Sequence, residues 1–357
     1  MNNGKREENL FREIESAVQI LTAKEKTIKQ ESFGDWEQRF LDEPKKIMAK
    51  DGGIRREDLK SFRAKHVFVA DRPAASFKKF HSNSIWFYGL MRVLNVVMGK
   101  RRGGIREAMD TFEAVEKANY LHLLQKYPTP SIGRPITLRR KGYEFTFRYL
   151  RHIYSLGLFL DHLKKELPED AIVLDIGSSY GIFSSLMKQD MPKSRHILVD
   201  LSGQLILAHY YLGSLFPNAK IAGFSEVDKA ARIDRKFVEQ YDFVLVPTSM
   251  FHKLAAGSAD LSTNLISFFE MSRDWYFRYI QSDVFKTSPY VYTVNRYDAY
   301  PTYQNNLTFR DFPFNDFRAI YIRTCPFLWF YYEPFFFFWY KRTQYPSQFF
   351  QFIGKRK

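Results

Sequence analysis

The sequence predicts an α/β fold: a mostly parallel sheet that ends in an antiparallel hairpin and follows a helical amino-terminal region. Three observations predict it. Apolar residues recur at helical spacing through the first third; after Pro168 short continuous apolar runs alternate with helical segments; and the carboxyl end is rich in β-formers. At 357 residues there is room for two domains or for one α/β domain with a long extension. We expect three blocks: 1–130 helical, 131–169 a linker and helix capping a cleft, and 170–357 the α/β domain. With 45% apolar and 26% charged residues, the composition excludes wholesale disorder, collagen-like repeats and a multi-span membrane protein. The single cysteine, Cys325, excludes an internal disulfide and a cysteine-cage metal site, and makes a reducing, cytoplasmic setting the expectation. Met1 to Leu10 is polar and is not expected to act as a secretory signal.

In order, Leu10, Ile14, Val18 and Leu21 predict an amphipathic helix from Glu8 to about Gln30. Further helices are expected from Ser76 to Met98 and from Ile105 to Lys126, separated by Gly99 and Gly103-Gly104. Pro128, Pro130, Gly133 and Pro135 predict a loop and a domain boundary, followed by a helix from Gly142 to Leu163. Ala171 to Leu174 reads as a strand buried on both faces. Then come helix (Phe183 to Lys188), strand (His196 to Val199), helix (Gly203 to Leu215), strand (Lys220 to Phe224), helix (Ala230 to Gln240) and strand (Asp242 to Val246). A Ser-Thr-Asn cluster is read as the cap of a long helix from Ser262 to Val284, with a strand at Tyr290 to Val294 and a hairpin of Arg318 to Ile322 with Phe349 to Gly354.

The most informative segment is Ile172-Val-Leu-Asp-Ile-Gly-Ser-Ser-Tyr-Gly-Ile-Phe183, a buried strand entering Asp175-x-Gly177-x-x-x-Gly181 and then a helix. Glycines so spaced let the main chain turn sharply and approach a ligand. A dinucleotide fingerprint needs glycines at 177, 179 and 182, where Ser179 and Ile182 break the pattern; a P-loop needs Lys and then Ser or Thr after Gly181, where Ile182 and Phe183 stand.

The segment resembles the first strand, turn and helix of class I S-adenosylmethionine-dependent methyltransferases, which implies a Rossmann-like sheet of that class and S-adenosylmethionine as cofactor. On this resemblance the cofactor residues are Asp175, Gly177, Ser179, Tyr180, Gly181, Asp200 and Leu201, and the family has a further glycine where Ser179 stands. The chemistry agrees. A carboxylate at Asp175 suits a ligand with an amino group and a sulfonium, and Asp200, ending the next strand 25 residues on, suits the two ribose hydroxyls.

Asp200-Leu-Ser-Gly-Gln-Leu-Ile-Leu-Ala-His-Tyr-Tyr-Leu-Gly-Ser-Leu-Phe-Pro217, Tyr241-Asp-Phe-Val-Leu-Val-Pro-Thr-Ser-Met250 and Val291-Tyr-Thr-Val-Asn-Arg296, with Gly133-Arg-Pro135, resemble the sugar O-methyltransferases found among bacterial polysaccharide-biosynthesis proteins. That resemblance implies a sugar, nucleotide-sugar or glycan acceptor. Its members commonly carry a Glu near the position of His252.

Methyl transfer to oxygen is helped by a base. His252 follows the fourth expected strand, on the rim where open sheets bind ligands, and an imidazole with pKa about 6.5 suits the task. The alternative reading is an ordinary loop histidine. Asn295 and Arg296 end the next expected strand and are the candidate acceptor contacts; the alternative is a solubilising turn. Glu270 and Asp274, four apart beside Arg273 and Arg278, read as a solvated ion-pair face. No metal is expected, because Pro247 to Lys253 offers only hydroxyls and one imidazole before Asp260.

The net charge of +15 draws in anionic partners. Two basic groups stand out: Lys100-Arg-Arg102 with Arg106, and Arg134, Arg139, Arg140, Lys141, Arg148 and Arg151, the second suited to a nucleotide-sugar diphosphate, a lipid-linked glycan or RNA phosphate. RNA or another small molecule is therefore the alternative acceptor, and a non-catalytic cofactor-binding protein of the same fold is the alternative from another class. Pro326 to Tyr340 is aromatic but short, and Glu333 and Pro334 interrupt it, so it is not a membrane span. Core packing or a homodimer contact is the favoured reading, with sugar stacking or peripheral membrane contact as the others.

Overall fold

The computed structural model describes residues 3–28, 54–65, 103–299, 305–327, 329–335, 339–345 and 348–357. The helix expected from Ser76 to Met98 and the basic run Lys100 to Arg102 lie outside the described residues. The chain divides into two compact units. The first holds Met1–Lys60, Leu156–Cys325 and Gln348–Lys357; the second holds Ser61–Ser155 and Pro326–Ser347. This division cuts across the three consecutive blocks expected from the sequence.

In the first unit, helix α1 (Asn3–Ile28) buries Ile14 and Val18 of the stripe its spacing predicts, together with Phe11 and Ala17, while Leu10 is half-buried. In the second, α2 (Gly103–Lys117) is followed by a short helix at Leu121–Lys126, broken from it by the left-handed Asn119. The expected helix from Gly142 begins late. Strands β1 (Leu138–Arg140) and β2 (Tyr143–Phe145) form a hairpin through Lys141 and Gly142, both at positive φ (50° and 82°), and only then does α3 (Phe147–His162) start. Two left-handed residues match the twist of a two-residue hairpin loop, which sequence periodicity alone did not reveal. The Pro-rich loop is present inside the second unit, wrapped on the buried Arg63, whose Nη1 donates to Pro130 O (2.6 Å) and Ile132 O (3.2 Å).

The first unit is built on an eight-stranded sheet. Its strands are β3 (Ile172–Ile176), β4 (Arg195–Asp200), β5 (Ile221–Ala222), β6 (Phe243–Pro247), β7 (Leu261–Leu265), β8 (Tyr290–Arg296), β9 (Phe317–Thr324) and β12 (Phe349–Arg356). In space they run β5-β6-β4-β3-β7-β8-β12-β9, parallel from β5 to β8, with β12 antiparallel to both β8 and β9. This is the Rossmann-like, mostly parallel sheet with a terminal antiparallel pair that the sequence predicts. Helix α4 (Ile182–Asp190) joins β3 to β4, and α5 (Ser202–Leu215) follows β4. Helix α1 packs on α5, where Phe11 stacks on Tyr210 at 5.9 Å and Leu10 fills the space in which Gly213 has no side chain. The hairpin β10 (Trp329–Phe335) and β11 (Trp339–Tyr345) carries most of the aromatic stretch as a separate two-stranded sheet of the second unit; residues 328 and 336–338 of the stretch lie outside the described residues.

The long helix expected from Ser262 is overturned. Leu261 to Leu265 is β7, directly beside β3; a 3-10 turn (Phe268–Glu270), α6 (Arg273–Ile280) and a short helix (Asp283–Thr287) follow. The polar residues that read as a cap cluster are interior strand residues with partners brought from elsewhere in the fold. Ser262 Oγ meets Ser288 Oγ at 2.7 Å, Thr263 Oγ1 donates to Asp175 Oδ1 at 2.8 Å, and Asn264 Nδ2 donates to Ile176 O at 2.8 Å. Buried polar groups persist where they are hydrogen-bonded.

Candidate functional site

Strand order locates the site. From β3 the chain builds outward through β4 and then to β5 and β6, and returns to β7 on the other side of β3. The order therefore reverses between β3 and β7, and open α/β sheets bind ligands in the crevice outside the carboxyl ends of the strands at such a reversal. The elements that end there are the glycine turn after β3, Asp200 at the end of β4 and the turn Ile266 to Glu270 after β7.

The glycine turn contains three left-handed residues, Gly177 (φ 72°), Ser179 (φ 53°) and Gly181 (φ 82°), the last capping α4. Gly177 N donates to Val199 O at 2.8 Å, drawing the turn against the end of β4. A Cβ at Gly177 would lie 1.9 Å from Ser267 Oγ, and one at Gly181 would lie 2.9 Å from a Leu198 methyl, so both positions need glycine for space as well as for φ. Ser179 adopts left-handed geometry with a side chain, at a cost of about 1–2 kcal/mol, and is held there by its N–H donating to Asp200 Oδ2 at 2.6 Å. Asp200 Oδ1 accepts from Leu201 N at 2.7 Å. The half-buried Asp200 thus fixes the turn and the start of α5 together, and a carboxylate has about four acceptor directions for these and for ligand hydroxyls. Ser178 Oγ is buried without a hydrogen-bond partner among the described residues, an orphaned hydroxyl inside the same turn.

Asp175 does not face the crevice as expected. It is 3% exposed, accepting from Thr263 Oγ1 at 2.8 Å and from Ser184 Oγ at 2.9 Å, so it ties β3 to β7 and α4 beneath the turn. Burial pushes its carboxyl from 3.8 to about 6, and the two hydroxyls hold it down only in part. A native pKa above the unfolded one means that the native state binds the proton more tightly. Stability therefore falls as pH rises from about 4 to about 6, and the full penalty, about 3 kcal/mol, applies above that window. Asp175→Asn keeps the shape and removes the charge. Urea unfolding should show the variant gaining on the wild type from pH 4 to pH 7, with little difference at the acid end; an equal offset at both pH values would refute the assignment.

Tyr180 is also corrected. It is fully buried and packs edge-on to Tyr211 at 5.2 Å, as part of the core rather than as a ligand contact. Asn295 and Arg296 do end β8, but β8 is an interior strand between β7 and β12, and both side chains are buried. Asn295 (1% exposed) donates to Asn264 Oδ1 and Thr293 Oγ1; Arg296 (4% exposed) lies 4.6 Å over the Phe349 ring and donates to Gln348 Oε1.

His252 is exposed, in the 3-10 turn (Thr248–Lys253) after β6, with Nδ1 3.1 Å from Ser249 O. Strand β6 is two positions from β3 and three from β7, so at about 4.8 Å per strand its end stands about 10 Å and 14 Å to the side of them. His252 is not brought to the reversal point. Glu270 is. It ends the turn after β7, outside α6, which starts beyond the Ser272 cap, so the expected ion-pair face of Glu270 with Asp274 on one helix does not exist. The turn that carries it is pinned: Glu270 N donates to Ser267 O, and Asn305 Nδ2 donates to Phe269 O (3.1 Å) and Met271 O (2.6 Å). Ile266 enters the turn at φ 66°, a left-handed β-branched residue, and such strain concentrates at functional sites. The sequence signal that was available is the stretch of more than forty residues between β6 and β8, too long to lack a strand in a βαβ series.

In the second unit, three residues of the expected basic group have acidic partners. Arg139 Nη2 meets Glu144 at 2.9 Å, Arg140 Nη2 meets Glu113 at 2.9 Å and Lys141 Nζ meets Glu116 at 2.6 Å. Among the described residues no group of three or more His, Cys, Asp or Glu is placed to hold a metal ion, and no helix is long and apolar enough to cross a membrane.

A doubly wound sheet with a left-handed glycine turn at its reversal point is a Rossmann-like fold. No protein-family model and no curated protein matches the chain. Among solved structures, the chain is similar to the pyocyanin biosynthetic protein PhzM (13% identity over 67% of this chain and 62% of that one, TM-score 0.34). It is also similar to TehB from Haemophilus influenzae (11%, 56% and 62%, TM-score 0.36) and to geranyl diphosphate C-methyltransferase from Streptomyces coelicolor (10%, 57% and 76%, TM-score 0.36). The similarity spans 62% of the length of each of the first two. With TM-scores below 0.5 these likenesses identify no family, and the fold assignment rests on the strand order.

Proposed function

We propose that the chain is an S-adenosylmethionine-dependent O-methyltransferase acting on a sugar hydroxyl in surface-polysaccharide or glycan biosynthesis. The observation that carries the reading is the turn of three left-handed residues bonded to Asp200 at the reversal of the sheet. The sugar acceptor is supported by the sequence resemblance quoted above. The residues present fit the cofactor: a Cβ-free approach at Gly177 and Gly181, the orphaned Ser178 hydroxyl, and a strand-end carboxylate for the ribose hydroxyls. When bound, the cofactor supplies a methyl carbon on a sulfonium, to which the acceptor oxygen bonds as the carbon–sulfur bond breaks.

The chain's own part is to bind, to align and to take up one proton. Asp200 holds the ribose, the turn holds the amino-acid end, and Glu270, beyond β7, is the group we assign to accept the hydroxyl proton. Asp175 acts from beneath as a tie between strands, not as a contact. With tritium-labelled methyl donor, Glu270→Gln is expected to lower transfer to the sugar acceptor by about 10²–10⁴-fold with cofactor affinity unchanged, whereas His252→Ala keeps turnover. Full turnover by Glu270→Gln would remove that assignment. Label appearing in RNA and in no sugar, nucleotide-sugar or glycan fraction would replace the acceptor class, and no label in any fraction despite bound cofactor would favour a non-catalytic protein.

A further inference from the structure

We infer that Asn264 is a positioning residue that locks the cofactor turn after β3 to the Glu270 turn after β7. The inference rests on the function proposed above and extends it to a residue that touches neither ligand. Asn264 is 1% exposed and its carboxamide is saturated. Nδ2 donates to Ile176 O (2.8 Å), the carbonyl just before Gly177, and to Ser267 Oγ (2.5 Å); Oδ1 accepts from Phe268 N (3.1 Å) and from Asn295 Nδ2 (2.8 Å). Ser267 Oγ in turn donates to Ile176 O at 3.3 Å and occupies the space that a Cβ at Gly177 would need. One side chain therefore bonds the last residue of β3, two residues of the turn after β7 and the end of β8.

The donor count makes this directional. Asn295 Nδ2 spends its hydrogens on Asn264 Oδ1 and Thr293 Oγ1, and Thr293 Oγ1 donates to Asn264 O at 3.2 Å, so each hydrogen in the cluster has an acceptor. Only an amide at 264 both accepts from β8 and the following turn and donates to β3. An aspartate keeps the shape and the acceptors but loses the donors; Ile176 O then keeps only the longer bond from Ser267 Oγ and faces a carboxylate oxygen in place of an N–H, a loss worth about tenfold in an equilibrium. The same cluster explains how Ile266 is kept left-handed: its N–H donates to Val294 O at 2.7 Å while Asn264 and Ser267 hold either side.

The test is calorimetric titration of the full chain with S-adenosylhomocysteine, wild type against Asn264→Asp, at pH 8 and pH 5.5 and well below the melting temperature. At pH 8 the variant is expected to bind about tenfold more weakly. At pH 5.5 the buried acid, its pKa raised by desolvation, regains one O–H for Ile176 O, and its affinity should return to within about threefold of wild type. Asp175, whose carboxyl is pushed to about 6 and which bonds the neighbouring Thr263, titrates inside this window. The pair of proteins is therefore also compared with Asp175→Asn in both, where the pH dependence of the ratio should persist. Arg296 and Glu270 are the other charged groups on the flanking strand and turn. A ratio near one at pH 8, or the same loss at both pH values, overturns the inference and leaves the function untouched. A wild type that binds no S-adenosylhomocysteine overturns both. If Asn264→Asp does not fold, Asn295→Ala, which removes one donor from Asn264 Oδ1, is expected to weaken binding about threefold, and wild-type affinity in that variant overturns the inference.

Discussion

Gly177→Ala is expected to abolish measurable cofactor binding and to lower the melting temperature by several degrees. The residue sits at φ 72°, where a Cβ costs about 1–2 kcal/mol before any contact is considered. The added carbon would also stand 1.9 Å from Ser267 Oγ and 2.5 Å from Ser267 Cβ, and Ser267 cannot step aside without breaking its bonds to Asn264 and Ile176. We expect a total loss of about 3 kcal/mol or more, because backbone strain and overpacking add. Gly142→Ala is the control. Its φ is 82°, yet nothing lies within 4 Å of the added Cβ, so it should lose only about 1–2 kcal/mol and leave cofactor affinity unchanged. Thermal melts and calorimetry on the two variants separate strain alone from strain with collision. Equal behaviour of the pair would contradict the packing described for the turn.

Asp200→Ala is expected to weaken S-adenosylhomocysteine at least about 100-fold and to lower the melting temperature, since Ser179 N and Leu201 N lose their acceptor. Two hydrogen bonds from ribose hydroxyls to a carboxylate are worth roughly 1.5–3 kcal/mol each, and the lower bound of their sum is about 100-fold in the dissociation constant. The acid also holds Ser179 N at 2.6 Å, so its loss frees a strained residue in the turn. An unchanged dissociation constant would remove Asp200 from the site.

Some of this was legible in the sequence for a physical reason. Strand β3 is five buried residues in a row, β4 ends on an acid, and left-handed turns call for glycine, so the cofactor turn announces itself in residue types. Strand β7 does not. Leu261-Ser-Thr-Asn-Leu265 carries three polar residues in the middle of the sheet, and their partners at Ser288, Asp175 and Ile176 lie 26 and 88 residues away, where no local pattern can register them. Missing that strand has two effects at once: His252 reads as the candidate base at the rim of the reversal, and Glu270 reads as part of an ion-pair face on a helix. Asn295 and Arg296 fail differently. Their place at the end of β8 was read correctly, but which way a strand-end side chain turns depends on what β7 and β12 put beside it. Asp175 shows the same limit, since an acid followed by a glycine turn looks like a ligand until Thr263 and Ser184 are seen to occupy its oxygens.

The most direct measurement of the central claim is calorimetric titration of the intact chain with S-adenosylhomocysteine and, separately, with NAD. One molecule of S-adenosylhomocysteine bound per chain, with no heat from NAD, is the predicted result. Absence of binding by the first, or equal binding of both, would contradict it.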